Sequence, residues 1–321
     1  MLFLSEQNIK EAVSMKDVID AVDATYSVYA SGEFQMPERM HVQDGDNTLL
    51  LMPCFTSDAI ATKLVTIFPN NETHPTLHGL VVLSDNETGE VKSVLNGSFL
   101  TGMRTGAIGG SAVRHLAGEQ TSSLAVIGTG TQGFYQTVAA CTERPIEHIY
   151  LYNRSQEKIE AFKTAILNWI DSPVQVHPMS SAEEAIRDAD IVITATTSKE
   201  PVLPDFPDLL KNKLFIGIGS FQPTMREFPQ SLYSIADTVM VDTEHAIAES
   251  GDIATPLEEG WINKEAITTM SHHVTSESQI YSRKNGTILF KSTGMALFDV
   301  VVANLMYQKA QQNGTGTNLS L

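Results

Sequence analysis

The chain has 321 residues, 42% hydrophobic and 18% charged, a globular composition long enough for two domains. A formal net charge of −17 excludes the broad basic face that nucleic acid or an acidic membrane would require. Any anion this protein binds must therefore be met by a small set of placed cations.

The opening MLFLSEQNIKEAV has no basic region and carries early acids, so no secretory signal is expected and a cytoplasmic address is. No run of about 18 or more apolar residues marks a membrane span. Ser14 followed by Asp17 has the form of a capped helix start, and Val18, Ile19, Val22, Tyr26 and Tyr29 continue as one helical stripe. From Asn47 to Val94 the texture becomes β. TLLLMP, ATKLVTIF, LHGLVVL and EVKSVLN are short strands, punctuated by Pro53, Pro69 and the turn Asn86–Gly89. Cys54 and Cys141 neither frame disulfides nor space metal ligands, and both are expected to be buried small hydrophobes.

After residue 120 strands alternate with helices. SSLAVIG, HIYLYN, VQVHP, DIVITAT, LFIGIGS and TVMVD read as strands, and Ser155 and Ser180–Ser181 as helix caps. The alternation predicts an α/β fold with a Rossmann-type doubly wound parallel sheet, beside an α+β region formed by the preceding residues. FKSTGMALFDVVVANLMYQKA is expected to return to helix, and QQNGTGTNLSL to fray.

Gly128-Thr129-Gly130-Thr131-Gln132-Gly133 follows a strand and opens a helix. Its glycines permit a tight turn and close approach of a pyrophosphate, which the helix N-terminus would attract. A methyltransferase using the same sheet is the competing reading. The tip of the next strand discriminates. NAD-binding chains place an acid there, whereas this one has Asn153-Arg154-Ser155, and an arginine can pair with a 2′-phosphate. NADP(H) is the expected cofactor, with NAD(H) second. Thr194, Ala195 and Thr196 end a strand where small polar residues can edge a nicotinamide, and Thr105 joins the cofactor set.

Three cations sit in poorly charged settings: Arg39 in QMPERMHV, Lys63 within ATKLVTIF, and Arg104 in TGMRTGAIGG. A buried cation needs a partner or ligand, so the three together suggest one anion site. His78 is expected to pack within its strand. HAIAESGD, His245 to Asp252, is assigned to a cleft or a subunit interface. His272–His273 lacks an acid at metal-ligand spacing, so no metal is expected.

PERM (37–40), NTLLLMP (47–53), TKLV (62–65), residues 86–110, VIGTGTQG (126–133), NRS (153–155), DIVITATTSKEPV (190–202), GIGSFQPTMREFP (217–229) and FKSTGMALFDV (290–300) follow one another in a known order. Together they resemble the ornithine cyclodeaminase/μ-crystallin family over nearly the whole chain. The resemblance implies a substrate-binding and dimerisation domain from 1–118 and 293–321, a Rossmann domain from 119–292, and a homodimer. It places carboxylate-binding arginines at Arg39 and Arg104 and the active-site lysine, also a substrate ligand, at Lys63. It further implies that the small residues around Arg104 let substrate and nicotinamide lie against the chain.

One departure is informative. Cyclodeaminases and alanine dehydrogenases of the family carry an aspartate where this chain has Phe221, and deamination needs a base that phenylalanine cannot supply. Reduction of a preformed cyclic imine needs only a held carboxylate, a hydride and a proton. The expected activity is therefore NADPH-dependent reduction of a small cyclic ketimino acid, with Δ1-pyrroline-2-carboxylate giving proline as the first candidate. The alternatives are an NAD-dependent ornithine cyclodeaminase, an amino acid dehydrogenase, or a non-catalytic NADP-binding protein. Glu227 and Asp299 could replace the missing acid, although a helix cap or a solvated face explains each equally well.

Overall fold

The computed structural model describes residues 1–276 and 286–320, and the chain divides into two units, Met1–Arg104 with Met295–Leu321, and Thr105–Gly294. The expected boundary at 118 falls just after the helix Gly97–Leu116. The division falls inside a continuous helix, Gly97–Leu116, at Arg104 and Thr105.

In the first unit the Ser14 hydroxyl accepts from the Asp17 N–H while the Asp17 carboxylate accepts from the Ser14 N–H, a reciprocal cap that starts the helix Met15–Ser31. Val18, Ile19, Val22 and Tyr26 are its buried stripe. An eight-stranded sheet accompanies it. Leu2–Leu4 pairs parallel with Val91–Asn96, and the sheet continues antiparallel through Leu77–Asp85, Ala59–Ile67 and Asn47–Thr56. Met40–Asp44 and Phe34–Gln35 both pair with this last strand.

The two-residue period sorts the faces. Met52, Lys63, Val81 and Leu95 stand opposite one another in register and are all buried. The neighbouring row, Met40, Leu51, Leu64 and Leu80, belongs to the other face, where Met40 is 57% exposed. The helix Ala296–Asn313 packs on the strands Asn47–Thr56, Ala59–Ile67 and Leu77–Asp85. The tail does not fray as expected. Gly314 ends the helix in a left-handed conformation, and Thr317–Asn318 pairs antiparallel with Leu2–Phe3, supplying partners to an otherwise open sheet edge. Leu321 lies outside the described residues.

The second unit carries an eight-stranded, wholly parallel sheet in the order Gln175–Pro178, His148–Tyr152, Ser123–Ile127, Ile191–Thr194, Leu214–Gly217, Ile288–Lys291, Thr238–Val241, Ile267–Thr269. The order reverses between Ser123–Ile127 and Ile191–Thr194, the point at which open α/β sheets leave a crevice beyond their strand ends. Two sequence expectations change here. Phe290 and Lys291 are not the start of the last helix but the end of a strand, Ile288–Lys291, inserted between Leu214–Gly217 and Thr238–Val241. Ser155 begins a 3-10 turn, Gln156–Lys158, without a side-chain capping bond, and the α-helix starts only at Ile159. Cys54 is fully buried as expected, whereas Cys141 is only partly so.

Candidate active site

Lys63 answers for its place in an apolar strand. Its side chain lies on the inward face, 2% exposed, with Nζ 2.7 Å from Asp299 Oδ2. Arg104 Nε donates to Asp299 Oδ1 at 3.0 Å, and Arg104 is 7% exposed. Asp299 sits in the first turn of Ala296–Asn313, where the helix dipole favours a carboxylate. It is neither a solvated residue nor the cap, which is Met295. It is 1% exposed and holds two cations from elements far away in sequence.

Arg39, partly buried in the segment before Met40–Asp44, lies close enough for its charge to act on Lys63. Burial pulls the Lys63 ammonium down to about 8. The Arg104 charge adds to this, Asp299 opposes it, and Arg39 adds further. Lys63 and Arg104 against the single carboxylate of Asp299 leave a surplus positive charge away from bulk water. Such a surplus is costly unless an anion joins it. The structure thus brings Lys63 and Arg104 together and sets Arg39 within electrostatic reach.

In the second unit the glycine loop has the geometry that its spacing predicts. Gly128 holds φ at +105°, and a Cβ there would meet the Ala195 carbonyl at 2.6 Å. Gly130 precedes the helix Thr131–Glu143 with no side-chain cap and open space where its Cβ would be, so the first N–H groups of that helix are free to receive an anion. The Thr129 hydroxyl, the Gln132 side-chain carbonyl and the Thr194 hydroxyl are buried without a hydrogen-bond partner. Buried orphans of this kind around one loop fit a polar ligand. At the strand tip, Asn153 accepts from the Thr129 N–H at 3.2 Å and donates to the Ser155 carbonyl at 2.9 Å, bracing the tip to the glycine loop. Arg154 is exposed.

Other expectations change. The small residues after Arg104 serve helix packing. A Cβ on Gly106 would meet Tyr135 O at 2.6 Å, and one on Gly109 would collide with the Gln136 side chain. Gln136 in turn donates to the Thr105 carbonyl at 2.6 Å. Those positions are filled by the helix that begins at the glycine loop, not by substrate. His78 is exposed, not packed. Asp252 of HAIAESGD is wholly buried and accepts from the N–H groups of Glu227 and Phe228. Phe221 is exposed, and Glu227 is buried among donors. Asp299 was the partner that sequence reasoning missed as such. Its place in the first turn of a helix is equally that of a helix-terminal acid, so the local sequence carried no signal of the pairing.

A Rossmann-type parallel sheet with a strand–glycine loop–helix passage at its switch point defines the α/β architecture of a dinucleotide-binding protein. More particularly, the chain belongs to the ornithine cyclodeaminase/mu-crystallin family, whose model matches residues 1–314. It is 34% identical to a Δ1-pyrroline-2-carboxylate reductase of Bacillus thuringiensis subsp. konkukian, over 99% of both chains. Among solved structures it resembles the Δ1-pyrroline-2-carboxylate reductase of Thermococcus litoralis in complex with NADH and L-proline, with TM-score 0.91, 30% identity, and 99% and 100% of the two chains covered. It also resembles an archaeal alanine dehydrogenase dimer with bound NAD, with TM-score 0.88, 26% identity, and 100% and 99% covered. Among the described residues no helix is long and apolar enough to cross a membrane.

Proposed function

We propose that this protein reduces a small cyclic ketimino acid, Δ1-pyrroline-2-carboxylate to proline first among them, with NADPH preferred to NADH. The observation that carries the reading is the joint engagement of Lys63 and Arg104 by the buried Asp299 carboxylate, with positive charge left over. Arg104 and Arg39 bind the substrate carboxylate, Arg104 held in orientation by Asp299. The dinucleotide, when bound, supplies the hydride that the imine carbon accepts. Lys63, charged below about pH 8, stabilises the developing charge and gives a proton toward the imine nitrogen, leaving a secondary amine.

Reduction is favoured over deamination because neither spare acid is free to act as a base. Asp299 is occupied by two cations, and every partner of the Glu227 carboxylate is a donor. Phe221 offers nothing in their place. The similarity to pyrroline-2-carboxylate reductases over the whole length supports the same choice.

For the cofactor, Thr129, Gly130, Thr131, Gln132 and Gly133 surround the pyrophosphate. Arg154, beside Asn153 and Ser155, meets the 2′-phosphate, and Thr194 to Thr196 edge the nicotinamide. The outward sheet face carrying Met40, Val42, Phe55, Leu64 and Leu80 is apolar and exposed, with Phe55 at 46%, and a second copy of the chain covers it in a homodimer. The alanine dehydrogenase neighbour described as a dimer supports this.

One preparation tests these points. NADPH and NADH oxidation is followed with Δ1-pyrroline-2-carboxylate, ornithine is supplied with NAD in parallel, and sedimentation gives the assembly state. Imine-dependent NADPH oxidation by a dimer is expected. Ammonia release from ornithine without imine reduction would reject the reading.

A further inference from the structure

Glu227 lies at the ends of two neighbouring parallel strands, Ile191–Thr194 and Leu214–Gly217. The regular ladder stops with the Ile218 N–H donating to the Thr194 carbonyl. Just beyond, the chains part, and their amide groups would have no strand to pair with. The Glu227 carboxylate takes over. One oxygen accepts from the Thr196 N–H at 2.7 Å and the Thr196 hydroxyl at 2.9 Å. The other accepts from the Gly219 N–H at 2.8 Å and the Ser220 N–H at 3.2 Å. Gly219 must be glycine, because a Cβ there would meet Glu227 Oε1 at 2.6 Å and collide with the Thr196 backbone.

Glu227 is itself held. Its N–H donates to Asp252 Oδ1 at 2.7 Å, Asp252 Oδ2 lies 3.4 Å from Lys291 Nζ, and all three residues are fully buried. Burial pushes the Glu227 carboxyl up, the Lys291 charge opposes that and the Asp252 charge adds to it, while four donors among the described residues face its two oxygens. A carboxylate is the only common side-chain form that offers acceptors on both oxygens.

We propose that Glu227 is a positioning residue for the nicotinamide half of the dinucleotide, clamping the segments Thr196 and Gly219–Ser220 that form its seat. The inference rests on the reading that the second unit binds a nicotinamide dinucleotide beyond these strand ends. The adenosine half depends on different residues, the glycine loop and the Asn153–Ser155 tip.

The test is Glu227→Gln. An amide turned either way puts an NH2 against N–H donors, so one of the two segments loses its anchor. Binding of NADPH and of 2′-phospho-ADP-ribose, which lacks the nicotinamide, is measured by titration on wild type and variant, with NADH and ADP-ribose as the second pair. The expected result is a loss of about tenfold or more in affinity for the whole dinucleotide, with the truncated ligand changed less than about twofold. Equal loss for both ligands, or for neither, overturns the proposal. Should Glu227→Gln not fold, Glu227→Asp keeps the charge but shortens its reach, and the same split or its absence decides. Failure of the wild type to bind either dinucleotide is a different outcome and rejects the cofactor reading itself.

Discussion

Two of the buried charge clusters among the described residues are built to opposite ends. In the first unit two cations, Lys63 and Arg104, share one carboxylate, Asp299. In the second unit two carboxylates, Glu227 and Asp252, share one cation, Lys291. The acids of the second cluster are filled by backbone N–H groups, so its charge is spent on holding the chain. In the first cluster two cations face one carboxylate, and among the described residues no backbone N–H donates to it. Burial alone therefore does not mark a binding site. The sign left over, and whether backbone groups already consume it, does.

Substitution of the two lysines gives the largest contrast. Lys63→Met is expected to lower kcat/KM for the imino acid by on the order of a thousandfold, through loss of charge stabilisation and of the proton donor, with the fold retained because Arg104 still neutralises Asp299. Lys291→Met is expected to cost about 3 kcal/mol of stability, since Glu227 and Asp252 are left without a counter-ion. Steady-state kinetics and urea denaturation on both variants read the two effects. If Lys63→Met cost stability and spared the rate, the distinction between the clusters would be lost.

The pH dependence sharpens the same contrast. Because Lys63 is brought down to about 8, kcat/KM should fall about tenfold per unit as the pH rises above that value. The stability contribution runs the other way. Between about 8 and the ordinary value of 10.5 the unfolded chain holds the lysine proton that the native state has released, so this group favours the native state increasingly across that window. A falling rate with no loss of stability is the expected signature. A rate that declined only with unfolding would count against Lys63 as the donor.

The smallest effect concerns the strand tip. Arg154→Ala should raise KM for NADPH about tenfold and leave KM for NADH nearly unchanged if, as proposed, this exposed arginine pairs with the extra phosphate. Equal changes for both cofactors would remove the basis for the proposed NADPH preference.

Much of this was legible from local pattern. The period-two strands, the strand–glycine–helix passage at 128–133 and the missing acid at 153–155 are short-range features, set by backbone sterics and by which residues tolerate a tight turn. Lys63 was conspicuous because an apolar strand does not ordinarily hide a charge.

Tertiary structure decided the partners. Asp299 lies 195 residues from Arg104, and nothing in the local sequence of either distinguishes a paired carboxylate from a helix-terminal one. The glycines after Arg104 suggested a ligand, yet they admit the Thr131–Glu143 helix. Phe290 and Lys291 read as part of a helix until the sheet places the strand Ile288–Lys291 between Leu214–Gly217 and Thr238–Val241. Local sequence restricts what each segment can form. The pairing of buried charges and the filling of gaps depend on which segments meet, and that is settled only when distant parts of the chain pack together.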